Sequence, residues 1–199
     1  MKGTGGRFQR AAPPRIDISH KSLYQSVKSL LIGTTMRHFF SRHQPPVHIN
    51  RGLIAGIGGL VAIAAVGALT GLVGHPMLMA PFGASCVLIF SVTASPLSQP
   101  ANVVGGHFVA TLVGLILRTV FPNEWWAVAI AVGAAIALMA ALRITHPPAG
   151  ANPLVVFAAD PGFEFLLFPV LTGSLILVAV GALFHRFAKV EYPLVRKPA

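Results

Sequence analysis

At 199 residues, 54% hydrophobic and only 10% charged, with a mean hydropathy of +0.73, the chain is too apolar for an ordinary soluble domain and reads as an integral membrane protein. Its formal charge of +10 is uneven, because nine of the fifteen Lys and Arg lie between Lys2 and Arg51, ahead of the first long apolar run. The sole cysteine, Cys86, excludes an intrachain disulfide.

Residues 1–51 hold Asp17 as their one acid and are expected to form a basic cytoplasmic tail, mostly solvated. Over residues 22–40, Leu23, Val27, Leu30 and Leu31 recur at helical spacing beside Lys21, Lys28 and Arg37, the pattern of an amphipathic helix on an anionic leaflet. The tail has no recognisable nucleic-acid motif, and charge ahead of a span already has a topological reason, so no nucleic-acid partner is expected. No apolar core follows the first basic residues, which excludes a secretory signal. The Arg-rich, acid-poor start also fits a transit peptide, so an organellar membrane stands as the alternative to a bacterial inner membrane.

The first span is expected over 52–74, an uncharged stretch long enough to cross about 30 Å of hydrocarbon. Its Gly52/Gly56 and Gly67/Gly71 pairs predict close helix approach. His75-Pro76 ends it. Further spans follow over 101–120, which carries His107, over 127–142, and over 164–187. Trp125 and Trp126 sit where interfacial aromatics belong. With Arg186, Lys189, Arg196 and Lys197 at the far end, the positive-inside rule puts both termini in the cytoplasm. The domain division is thus a tail over 1–51, a transmembrane domain over 52–187 and a cytoplasmic tail over 188–199.

Between these spans lie two segments broken by Pro and Gly. The second, His146-Pro147-Pro148-Ala149-Gly150-Ala151-Asn152-Pro153, has three prolines in eight residues, so its backbone is expected to be irregular at or near membrane depth. A shift of 67 positions lays Pro81, Gly83, Ala84 and Phe90 on Pro148, Gly150, Ala151 and Phe157. Without a gap the same shift lays Gly106 and Gly114 on Gly173 and Gly181, an internal duplication. The fold class is therefore all-α, with either four full transmembrane helices plus two half-helices or six spans. Six spans make the halves inverted repeats and exchange the sides of Arg118 and Arg143.

The segments 80–85, 95–107 and above all His146-Pro147-Pro148 are similar to those of the HPP family of integral membrane proteins, over about residues 50–187. The resemblance implies a compact, usually four-span protein thought to transport solutes, with nitrite attributed to plant and cyanobacterial relatives. Many relatives have Gly-Gly-Ala after the signature where this chain has Ala149-Gly150-Ala151, and the extra methyl leaves less room for a closely approaching ligand, which points to a different substrate. The appended nucleotide-binding domain of some relatives is expected to be absent.

The residue chemistry points the same way. A helix beginning inside the membrane presents unpaired N–H groups and about half a positive charge to an anion. Ser85 and Asn152, at equivalent positions, either cap such starts or meet a ligand oxygen. His75, His107 and His146 are the ionisable side chains expected to face the interior. The candidate substrate-binding set is Gly83, Ala84, Ser85, His107, His146, Gly150, Ala151 and Asn152. No catalytic set is spaced for an enzyme and no ligand cluster for a metal, so neither catalysis nor a cofactor is expected. The expected partners are the lipid bilayer, a small monovalent anion and a second copy of the chain as a homodimer. A membrane scaffold without transport is the alternative.

Overall fold

The computed structural model describes residues 20–32 and 40–195 and divides the chain into two units, Met1–Pro46 and Val47–Ala199. In the first unit, helix α1 (His20–Ile32) carries the expected amphipathic pattern, with Lys28 Nζ 5.9 Å from the Tyr24 ring centre. The expected continuation over 33–39 lies outside the described residues.

The second unit is helical, with no strand among the described residues. Helix α2 (Ile49–Ala68) continues through the short α3 (Thr70–Val73) and stops at Gly74, whose φ of 70° favours a residue without Cβ. Extended residues lead into α4 (Ala80–Ser91), which has a proline in its first turn, where a missing N–H costs nothing. Helices α5 (Pro100–Val120) and α6 (Trp125–Ala141) form a hairpin closed by the Phe121 and Trp126 rings, 5.6 Å apart. A tight turn over Pro147–Ala151 enters α7 (Asn152–Ala159), and a kinked segment over 163–171 enters α8 (Thr172–Ala188).

Among the described residues three stretches are long and apolar enough to cross a membrane: Ile49–Val73, Pro100–Val120 and Phe163–Ala188. The expected fourth, α6, has 17 residues and α4 has 12. Helix α6 stops where Arg143 adopts a left-handed φ of 60°, with Arg143 N–H donating to Ala140 O and Ile144 N–H to Met139 O. That reversal carries the chain directly to His146.

Contacts give the direction of each short helix. Helix α4 runs back along α2, since Gly67 meets Leu78, Gly59 meets Cys86 and Gly58 meets the Phe90 ring. The close approach therefore uses Gly58, Gly59 and Gly67; Gly52, Gly56 and Gly71 of the expected pairs have nothing within 4 Å of a Cβ position. Helix α4 then runs parallel to α8, with Gly173 against Phe82 and Gly181 against Ile89. Likewise α7 runs parallel to α5: Gly106 meets His146, Gly114 meets Pro153 and Val156, and Arg118 pairs with Asp160 at 2.6 Å.

Two kinds of packing result. Between α2, α4 and α8 lies a core of large side chains, including Met77, Phe82, Ile89, Phe90 and Leu177. Between α5, α6 and α7 the buried apolar groups are mostly small, with Ala127, Ala131 and Ala135 one turn apart on α6 facing Ala110 on α5 or Phe157 on α7. Small faces let backbones approach closely, which is how helices gain contact in lipid, where there is no water to expel. Beyond α8, Tyr192 is buried and its O–H donates to Ser98 O at 3.0 Å.

Candidate functional site

At the centre of this bundle four side chains expected from the sequence converge. Ser85, His107, His146 and Asn152 are all fully buried. Ser85 Oγ lies 2.8 Å from His107 Nε2, 2.9 Å from His146 Nε2 and 3.1 Å from Pro81 O. On its far side the His107 ring meets the Asn152 amide, with Nδ1 3.2 Å from Oδ1 and 3.0 Å from Nδ2. Asn152 Nδ2 also donates to His107 O at 3.1 Å and to Thr111 Oγ1 at 2.8 Å. His146 Nδ1 donates to Leu97 O at 2.9 Å.

Each partner is placed by a local feature of the chain. Ser85 stands one turn after Pro81, whose carbonyl it reaches across that turn. It sits inside α4, so its hydroxyl caps nothing; neither does Asn152, although Asn152 opens α7. His107 and Thr111 are one turn apart on α5 and share a face. His146 is admitted because Gly106 has no side chain: a Cβ there would stand 2.6 Å from His146 Cβ. Asn102 Nδ2 donates to Thr145 O at 2.9 Å and ties the stretch before His146 to α5.

Of the remaining expected residues, Ala84 and Ala151 line a groove beside this network, whereas Gly83 faces Gly52, Gly56 and Gly59 of α2. Gly83 and Ala84 are exposed and Gly150 and Ala151 half-buried. A groove of about 590 Å³ runs between the first turns of the two motif segments, lined by Ala80, Pro81 and Ala84 on one side and Pro147, Pro148 and Ala151 on the other. Those six residues form three pairs under the 67-residue shift. A Cβ on Gly83 or Gly150 would meet nothing within 4 Å, so both have room for a side chain.

His75 departs from expectation. It is exposed, stacks on Phe168 at 5.8 Å between ring centres, and lines a larger cavity of about 630 Å³ with Glu164 and the end of α7. Ala80 borders both cavity and groove, which therefore meet at the start of α4.

Sequence reasoning missed Thr111, Leu97 O and the buried His185, whose Nε2 donates to Ile89 O at 2.9 Å. A Thr four residues after a His in an apolar span was the available signal for the first. No His, Cys, Asp and Glu group among the described residues is clustered to hold a metal ion.

Comparison with known proteins gives the family of the chain. The family described as HPP, transmembrane region, matches residues 44–193. A transmembrane protein of Dictyostelium discoideum is 39% identical over 127 residues, covering 59% of this chain and 45% of the relative. A second from the same organism is 39% identical over 126 residues, covering 59% of this chain and 40% of the relative. The chain thus spans less than half the length of the curated relatives it matches. No solved structure matches it.

Proposed function

The chain is a membrane protein of the HPP family, and from that premise we propose that it transports a small solute, a monovalent anion such as nitrite, through the crossing of its two motif segments. The observation that carries this reading is the fully buried Ser85, His107, His146 and Asn152 network in the middle of an apolar bundle. Polar and ionisable groups at that depth are costly and mark solute pathways. The first turns of α4 and of the Pro147–Ala151 turn lie side by side, which brings two broken-helix starts to one place. No Lys or Arg is bonded to the network among the described residues, so backbone N–H groups, Ser85 and Asn152 are what would hold a negative charge.

The structure is then a closed conformation in which Ala84 and Ala151 stand between the groove and the polar groups behind. The groove's open apolar face is covered by lipid or by a second copy of the chain.

The paired contacts support an inverted repeat of three helices. Gly114 against Val156 and Gly181 against Ile89 are the same contact under the 67-residue shift. The antiparallel α2–α4 and α5–α6 pairs and the parallel α4–α8 and α5–α7 pairs support the six-span reading, and the basic ends of the chain support cytoplasmic termini. A cysteine placed at position 7 or 197, in a Cys86→Ser background, stays unreactive to impermeant reagents added outside; labelling at one end only contradicts the even count.

The deciding experiment is flux into liposomes containing the purified chain, with nitrite, nitrate and chloride set against sodium, potassium and urea. Uptake of monovalent anions alone supports the proposal. Uptake of cations or urea in their place contradicts the anion reading, and no uptake of any of them leaves a membrane scaffold.

A further inference from the structure

Counting hydrogens around Ser85 gives a result that neither the family nor the groove supplies. His146 Nδ1 faces Leu97 O, which can only accept, so Nδ1 carries a proton and Nε2 of the neutral ring is a bare acceptor. On His107, two neutral arrangements are open. If Nδ1 carries its proton and donates to Asn152 Oδ1, then Nε2 is bare, and two imidazole nitrogens compete for one Ser85 hydroxyl proton. If Nε2 carries it instead, Asn152 Nδ2 must serve Nδ1, His107 O and Thr111 Oγ1 with two hydrogens. Pro81 O, which can only accept, is a further claimant on the Ser85 hydrogen, so either way the neutral network is two hydrogens short of its contacts.

One added proton halves the shortage and leaves only the longer Ser85–Pro81 O contact without a hydrogen of its own. His107 Nδ1–H then donates to Asn152 Oδ1 and Nε2–H to Ser85 Oγ. The Ser85 hydroxyl donates to His146 Nε2, His146 Nδ1–H donates to Leu97 O, and Asn152 Nδ2 supplies His107 O and Thr111 Oγ1. The charge also has a route between the rings. His107 Nε2–H passes its proton to Ser85 Oγ as the Ser85 proton moves to His146 Nε2. One N–H and one O–H break, one O–H and one N–H form, and the positive charge moves from one ring to the other.

We propose that His107, Ser85 and His146 form a proton relay that takes up one proton together with one monovalent anion, so that the two cross the membrane as an electroneutral pair. The pairing follows from what surrounds the trio. Phe82 of α4 meets the His107 ring edge-on at 5.2 Å, Gly106 of α5 abuts His146, and Met139 of α6 lies beside Gly106. The buried polar group of α8, Ser174, is bonded to Leu171 O. Cys86, next on α4, turns to Gly59 of α2. Arg118 and Asp160 pair with each other at the far end of α5 and α7, Arg143 is exposed in the turn before His146, and His185 bonds Ile89 O. No carboxylate among the described residues is bonded to either ring. An imidazolium buried without a counter-charge is strongly disfavoured, and so is a lone anion, whereas the two together cancel.

This inference rests on the anion-transport reading, and its test separates the two. Liposomes bearing the full chain are given external nitrate, whose conjugate acid is too strong to carry it across as a neutral molecule. With the membrane potential clamped by potassium and valinomycin, an interior one pH unit more alkaline drives about tenfold nitrate accumulation, whichever sign of potential is then imposed. Nitrate uptake that follows the potential and ignores the pH gradient overturns the relay but leaves anion transport standing. No uptake of nitrate, nitrite or chloride removes both. Proton counting needs no variant: nitrate added to lightly buffered, detergent-solubilised protein takes up about one proton per nitrate bound, and binding without proton uptake overturns the relay. Ser85→Ala, His107→Gln and His146→Gln each abolish that uptake in variants that still fold.

Discussion

The α4–α8 crossing and the α5–α7 crossing share a backbone plan and differ in chemistry. At each, a glycine of the long helix receives a β-branched residue of the short one, Gly181 against Ile89 and Gly114 against Val156. Between α4 and α8 the fill is mostly apolar, with Phe82 against Gly173 and Leu177 buried beside them, while Ser85 of α4 turns to the histidines and Ser174 and His185 of α8 bond backbone carbonyls. Around α5 and α7 the fill is His107, Thr111, His146 and Asn152. Under the 67-residue shift His107 matches Ser174, Thr111 matches Val178 and His146 matches Met79, while Ser85 matches Asn152, so the polar groups gather mostly at one crossing and Ser85 joins them from the other. A repeated scaffold places a site at its centre without making the site symmetric.

The comparison breaks most severely at Gly106. Gly106→Ala sets a Cβ 2.6 Å from His146 Cβ and 3.2 Å from Ile144 O, neither of which can swing away, and it should cost about 3 kcal/mol with loss of uptake. Denaturation in detergent with a flux assay reads both. Asn152→Leu should cost about 2 kcal/mol, because it strands Thr111 Oγ1, His107 O and the His107 ring without their partner, and should also end uptake. At the apolar crossing the equivalent changes are milder. Gly173→Ala meets the outer edge of the Phe82 ring, and Ser174→Ala removes a single bond to Leu171 O; about 1 kcal/mol each is expected, with uptake kept. Smallest is Asp160→Asn, since its pair with Arg118 is partly solvated; less than about 1 kcal/mol and flux within about twofold of the parent are expected.

Much of the site was legible because polar residues are rare in apolar spans. Ser85, His107, His146 and Asn152 stood out for that reason, and the Pro- and Gly-broken segments marked where backbone departs from regular helix. Their joining was not legible, because the bonds link residues 22, 61 and 45 positions apart. The capping role open to Ser85 failed because α4 begins five residues earlier, at Ala80. His75 looked like the other two histidines in sequence but lies beyond the left-handed Gly74, on an exposed extended segment. Spacing also misled at Gly52, Gly56 and Gly71: glycines four apart show that close approach is sterically open, and only the partner's position decides which ones use it. The lengths of α4 and α6 depended on helix ends such as the left-handed Arg143, which no residue type announces.

The most direct test of the account is chemical modification inside the groove. In a Cys86→Ser background that keeps its flux, Ala151→Cys places a thiol among the groove-lining residues beside Asn152. A small anionic thiol reagent should modify it and stop uptake, and saturating nitrate should slow the modification. Complete modification with unchanged flux would contradict a solute path at the crossing of the two motif segments.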